Sequence, residues 1–76
     1  MPASVLVIGG GGREHAIVRQ LARSPLSPVI YAAPGNPGIA ACATNVALDP
    51  SDEQAVVRFC QNEGIGLVIV GPEDPL

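Results

Sequence analysis

Ser4-Val5-Leu6-Val7-Ile8 is an almost unbroken apolar run that stops abruptly at four consecutive glycines, Gly9 to Gly12. Its β-branched residues, its shortness and the glycine stop predict a strand buried on both faces. After Gly12 the period changes. Ile17, Val18 and Leu21 fall at i, i+1 and i+4, with Glu14, Arg19, Gln20 and Arg23 offset from them. That spacing predicts an amphipathic helix of about three turns, closed by Pro25, which disfavours helical geometry at Ser24. Val29-Ile30-Tyr31-Ala32-Ala33 is the next predicted strand, stopped by Pro34-Gly35.

From Pro34 to Asp49 no long element is indicated, and a loop of that length in a compact domain usually carries function or hides short structure. Asn36-Pro37 reads as a helix cap followed by proline at the first helical position, so Gly38 to Cys42 is expected to form one or two turns. Asn45-Val46-Ala47-Leu48 is a candidate short strand. Asp49-Pro50 repeats the cap-plus-proline signal, and Ser51 with Gln54 adds a candidate capping box. Ala55, Val56, Phe59 and Cys60 then form the cleanest helical stripe of the chain, with Cys60 on the core side and Gly64 as a left-handed stop. Leu67-Val68-Ile69-Val70 is a third buried strand, cut off by Gly71-Pro72.

The predicted fold is therefore α/β: part of an open parallel sheet, with three main strands and two main helices joined by right-handed crossovers. Only Glu73-Asp74-Pro75-Leu76 follows the third strand. One sheet edge and one face of that strand are then expected to lie uncovered, so residues 1–76 read as an incomplete domain.

Composition narrows the function classes. The chain has 76 residues, a net charge of −3 and no lysine. A nucleic-acid or anionic-membrane partner would call for a cationic stripe, and none is present. Its apolar runs fall far short of the roughly 20 residues that cross a bilayer. No cationic leader or Arg/Ser-rich presequence stands at the start, so a cytoplasmic location is expected. Cys42 and Cys60 permit one disulfide by count, but without a secretory signal they read as reduced thiols. No recognised zinc spacing exists.

In a parallel α/β sheet ligands bind outside the carboxyl ends of the strands. Three loops follow those ends here: Gly9 to His15, Pro34 to Gly38, and Gly71 to Pro75. They are expected to gather along one rim. The dinucleotide fingerprint G-x-G-x-x-G fails, because its third glycine is Glu14 when Gly9 and Gly11 are the first two, or His15 when Gly10 and Gly12 are. No acidic residue ends the second strand, and no G-K-[ST] makes a P-loop. A simpler phosphate site remains. The four glycines let backbone amides approach an anion closely, the helix N-terminus favours one, and Arg13, which opposes the dipole of an empty helix, fits beside one. The alternative is a plain glycine turn with Arg13 solvated. Glu14 has the alternative of a favourable first-turn carboxylate. His15 reads equally as a ligand contact or a packed side chain. Asn36 is a cap, a contact, or both, and Glu73 is either a hydrogen-bond acceptor presented by a rigid turn or an ordinary loop carboxylate.

Three segments together resemble one family. Val5 to Ala16, with Gly-Gly-Arg-Glu-His at Gly11 to His15, is similar to the amino-terminal signature of the phosphoribosylamine–glycine ligases. Ala33-Pro34-Gly35-Asn36-Pro37-Gly38 resembles their second-strand loop, with Pro37 for the usual alanine. Val70-Gly71-Pro72-Glu73-Asp74-Pro75-Leu76 resembles their third, with Asp74 for the commoner alanine. Order and spacing agree along essentially the whole chain. The resemblance implies a partial Rossmann-like (pre-ATP-grasp) domain of a ligase of de novo purine synthesis. ATP, with Mg²⁺ or Mn²⁺, would convert glycine to an acyl phosphate that the amine of 5-phosphoribosylamine attacks. Nucleotide, metal and glycine chemistry would belong to ATP-grasp and carboxy-terminal domains of the same parent, beyond this chain. The chain alone would then bind no nucleotide or metal and catalyse nothing. Carried over by position, Gly10, Gly11, Gly12, Arg13 and Glu14 would face the phosphoribosyl group, with Asn36 and Glu73 lining the same pocket. A stand-alone phosphate- or nucleotide-binding module, or the amino-terminal domain of another ATP-grasp enzyme such as a carboxylase, is the alternative.

Overall fold

A computed structural model describes residues 4–25 and 28–71. In chain order the elements are β1 (Ser4–Gly9), α1 (Gly12–Ala22), β2 (Val29–Pro34), a 3-10 turn (Ile39–Ala41), β3 (Thr44–Asn45), α2 (Glu53–Glu63) and β4 (Leu67–Val70). The four strands form one parallel sheet in the order β3-β2-β1-β4. The expected open α/β sheet of three main strands and two helices is present, with the two-residue β3 added at one edge. β1 is central: β2 pairs along one side of it and β4 along the other. The strand order thus reverses at β1, the position where such sheets open a crevice for ligands.

The expected strand from Asn45 to Leu48 is shorter and begins one residue earlier. Val46 N–H still donates to the Ala32 carbonyl at 2.8 Å, but Leu48 N–H then donates back to the Val46 carbonyl at 2.8 Å. That three-residue turn bends the chain off the sheet.

Alternation along the strands assigns the two faces. Val5, Val7, Ile30 and Ala32 point to one side, where Val18 of α1 and Ile39 of the 3-10 turn complete a buried cluster. Ile17, Leu21, Ala43 and Ile69 pack around it, half-buried. The helical stripe read from the sequence is therefore the face that α1 buries. On the other side lie the buried Leu6 and Ala33, beside Tyr31. Here α2 makes its aromatic contact, Phe59 meeting Tyr31 edge to face at 5.2 Å and 83°. Tyr31 also donates its hydroxyl to Glu63 Oε1 at 3.1 Å. That bond raises the phenol pKa above its ordinary 10.0, so its contribution to stability is present below that value and fades as pH climbs past the raised one.

Two expectations about burial change. Cys60 is half-buried rather than core, and no residue of α2 is fully buried. β4, read from its continuous apolar run as a buried strand, leaves Leu67 51%, Val68 41% and Val70 67% exposed. Val68 and Val70 line a cleft of about 590 Å³ between α2 and the β1–β4 half of the sheet, together with Ile8, Val56 and Val57 among others, whereas Leu67 lies on the opposite face, level with Val5. The uncovered strand face expected from the sequence is present here.

The caps also shift. α2 starts at Asp52, whose side chain accepts from Ala55 N–H at 3.1 Å, not at Asp49 or Ser51. Ser51 is engaged elsewhere: its N–H and hydroxyl both donate to Asp49 Oδ1, at 2.9 and 2.7 Å. Those bonds hold the Asp49 carboxyl below the usual carboxylate range. Gly64 ends α2 at φ 64° and ψ 41°, the left-handed stop expected there. α1 ends at Ala22, tightening as Ser24 N–H donates to the Leu21 carbonyl at 3.0 Å.

Val18→Ala should lower unfolding stability by about 2 kcal/mol, since it empties space in the buried cluster between α1 and the sheet. Val57→Ala, on the open side, should change it by no more than about 0.5 kcal/mol. Asp52→Ala should cost about 1 kcal/mol and Ser51→Ala clearly less, reversing the order a Ser51 cap would give. Urea unfolding of the four variants checks both contrasts.

Candidate functional site

The ladders on both sides of β1 run one residue past the strands. Gly35 N–H donates to the Gly9 carbonyl at 3.1 Å, and Gly71 N–H to the Ile8 carbonyl at 3.0 Å. The carboxyl ends of β1, β2 and β4 therefore stand side by side, as the loop order predicts. The first two loops approach closely: a Cβ on Gly10 would lie 2.6 Å from the Gly35 carbonyl oxygen. Glycine at position 10 is thus a packing requirement of the crevice.

Asn36 joins these loops. Its Nδ2 donates to the Gly10 carbonyl at 2.8 Å, and its Oδ1 accepts from Ile39 N–H at 2.8 Å. Its own carbonyl accepts from Asn45 Nδ2 at 2.8 Å. The expected cap is real, over the 3-10 turn Ile39–Ala41, and the same side chain bridges to the glycine loop. One Nδ2 proton goes to Gly10, which leaves an amide's second proton as a donor for other use.

Glu14 lies inward. It is 8% exposed, and its Oε1 accepts from Gly11 N–H at 2.8 Å. This is half of a capping box, because Gly11 has no side chain to return the bond. The carboxyl group fills the space beneath two strand ends. A Cβ on Gly9 (φ +134°) would lie 2.5 Å from Glu14 Cγ, and one on Gly71 would collide with Oε2. Nothing in the sequence alone announced this clasp, although Glu14 stands where a dinucleotide fold would have its third glycine. His15 is half-buried and lies against the second loop, where a Cβ on Gly38 would stand 2.6 Å from its Cε1.

Gly11, Gly12 and Arg13 are exposed, and Gly10 is half-buried. Around Gly12 the space is open, with no atom within 4 Å of a Cβ placed there. Intrahelical bonding in α1 begins as His15 N–H donates to the Gly11 carbonyl at 3.1 Å. The amides of Gly12 and Arg13 precede that first bond, at the exposed start of the helix. A cradle of backbone donors with a guanidinium beside it can hold an oxyanion. Glu73 lies outside the described residues.

Asn36→Asp tests the bridge. It keeps the acceptor for Ile39 but sets a carboxylate oxygen against the Gly10 carbonyl in place of a donor. The expected loss is at least that of Asn36→Ala, about 2 kcal/mol in unfolding free energy, read by urea titration.

Residues 3–76 match the family described as Phosphoribosylglycinamide synthetase, N domain. Over 73 residues the chain is 58% identical to the phosphoribosylamine–glycine ligase of Mesorhizobium japonicum, covering 96% of this chain and 17% of that protein. It is 56% identical over 72 residues to the ligase of the same name from Agrobacterium fabrum, covering 95% of this chain and 17% of that protein. The corresponding Escherichia coli O157:H7 protein is 53% identical over 74 residues, covering 95% of this chain and 17% of that protein. The chain thus spans about 17% of the length of these relatives. With the match running from residue 3 to residue 76 and through all three rim loops, the chain belongs to the phosphoribosylglycinamide synthetase N-domain family.

Proposed function

We propose that this chain is the phosphoribosyl-holding part of an ATP-dependent ligase that joins glycine to 5-phosphoribosylamine in de novo purine synthesis, and that it works in the cytoplasm as one segment of a longer chain. The observation that carries the reading is the rim itself: three strand ends side by side, with Gly11, Gly12 and Arg13 exposed where α1 begins. The 5′-phosphate is held by the amides of Gly12 and Arg13 and by the Arg13 guanidinium. With a net charge of −3 and no lysine, these groups and the helix dipole supply the attraction. Asn36 keeps the second loop against Gly10, and its remaining amide proton is available to a ribose hydroxyl. Glu73, two residues beyond Gly71, orients the attacking amine.

ATP with Mg²⁺ or Mn²⁺ supplies the activation of glycine to an acyl phosphate. Among the described residues no three His, Cys, Asp or Glu side chains come together as a metal site, and that chemistry is assigned to the rest of the parent. The chain's own contribution is positioning. Holding the amine in line with the activated carboxyl converts an encounter into an intramolecular step. Small-molecule substrate and the remaining domains are its partners; neither nucleic acid nor membrane is. Among the described residues no helix is long and apolar enough to cross a membrane. Identity above 50% over nearly the whole chain favours this reading over a separate phosphate-binding module.

In a full-length ligase carrying this sequence, Arg13→Ala should raise KM for phosphoribosylamine about tenfold, the effect of losing one charge-assisted hydrogen bond. KM for glycine and for ATP should stay within about twofold. Glu73→Ala should lower kcat/KM for phosphoribosylamine and spare the glycine and ATP terms. A loss confined to glycine or ATP in either variant would sink the proposal.

A further inference from the structure

We infer that Glu14 is a positioning residue: it aims the anion-facing amides of the glycine loop and ties that loop to Gly71 at the end of β4, without touching substrate itself. This rests on the phosphoribosyl reading and adds to it the group that shapes the site. The carboxylate is buried, with one oxygen on Gly11 N–H at 2.8 Å and the other against Gly71. Side chains at Gly9 and Gly71 would overlap it, and one at Gly11 would come within 3.2 Å of Oε1. Three glycines from two loops thus leave room for a single carboxylate.

The physical need for such a group is plain. A run of four glycines has no side chains of its own to hold its shape. Each glycine also loses more freedom on ordering than any other residue. If the loop were ordered only by substrate, that entropy would subtract from binding. Accepting the Gly11 amide orders the loop beforehand and leaves the next two amides, Gly12 and Arg13, at the exposed start of α1. A carboxylate in the first turn also favours the α1 dipole, so the same group supports the helix that presents those amides. Because it meets Gly71 as well, the clasp joins the glycine loop to the end of β4.

The claim separates from direct substrate contact by charge. Glu14→Gln keeps an oxygen for Gly11 N–H at nearly the same shape and loses the charge; Glu14→Ala loses both. In the full-length ligase, Glu14→Ala should raise KM for phosphoribosylamine, and the calorimetric Kd of the product glycinamide ribonucleotide, about tenfold, with kcat within about twofold. Glu14→Gln should stay within about twofold of the parent on every term. Gly71→Ala, which presses on the carboxylate from the β4 side, should reproduce the alanine pattern and decides the matter should Glu14→Ala fail to fold. Equal losses in the Gln and Ala variants, unchanged affinity in Gly71→Ala, or an equal rise in KM for glycine and ATP would each overturn the inference. Amide hydrogen exchange at Gly11, without any ligand, should quicken in Glu14→Ala and not in Glu14→Gln. That readout stands even if Arg13→Ala leaves phosphoribosylamine binding unchanged, a result that would remove the substrate reading alone.

Discussion

Parallel pairing of β1 on both of its edges is the constraint from which the rest follows. A parallel strand needs a crossover to return the chain, and each crossover brings the next strand in with the same polarity. With β2 on one side and β4 on the other, three carboxyl ends must emerge together. Gly10, Gly35 and Gly71 are the first residues beyond those strands, and two backbone bonds carry the ladder just past their ends. The crevice is a by-product of the pairing; only its lining had to be chosen.

That lining is held in place by side chains reaching in from elsewhere. Asn36 grips the Gly10 carbonyl, Glu14 grips the Gly11 amide, and His15 lies against Gly38. Each side chain rests on a glycine, so backbone and polar group approach closely at every junction. Local stiffness at the rim comes from these crossed contacts, while the sheet interior relies on apolar packing of Val5, Val7, Val18 and Ile39. The two halves of the molecule are stabilised by different physics and would respond differently to solvent and salt.

Much of this was legible from residue order. Period changes at Gly12, Pro34 and Gly64 marked element ends within a residue or two, because glycine and proline act through local sterics that need no tertiary context. The convergence of three loops followed from connection rules. What could not be read was where competing local bonds would settle: Asp49 drew Ser51 away from capping, and Asp52 took its place. Nor could the apolar run Leu67 to Val70 report how far each of its residues is left exposed, since hydrophobicity states a preference and not its fulfilment. Glu14 was legible as a residue and not as a role. Its partners, Gly9, Gly11 and Gly71, are glycines spread over the chain, and an absent side chain leaves no pattern to detect.

The edge-to-face contact between Tyr31 and Phe59 has a spectroscopic side. The sequence holds one tyrosine and no tryptophan, so emission excited beyond the phenylalanine absorption band arises from Tyr31 alone. That ring is the one that α2 leans on, with its hydroxyl engaged by Glu63. A hydroxyl hydrogen-bonded to a carboxylate emits weakly, and a freed one brightens. The chain therefore carries its own optical gauge of whether the second helix is seated on the sheet.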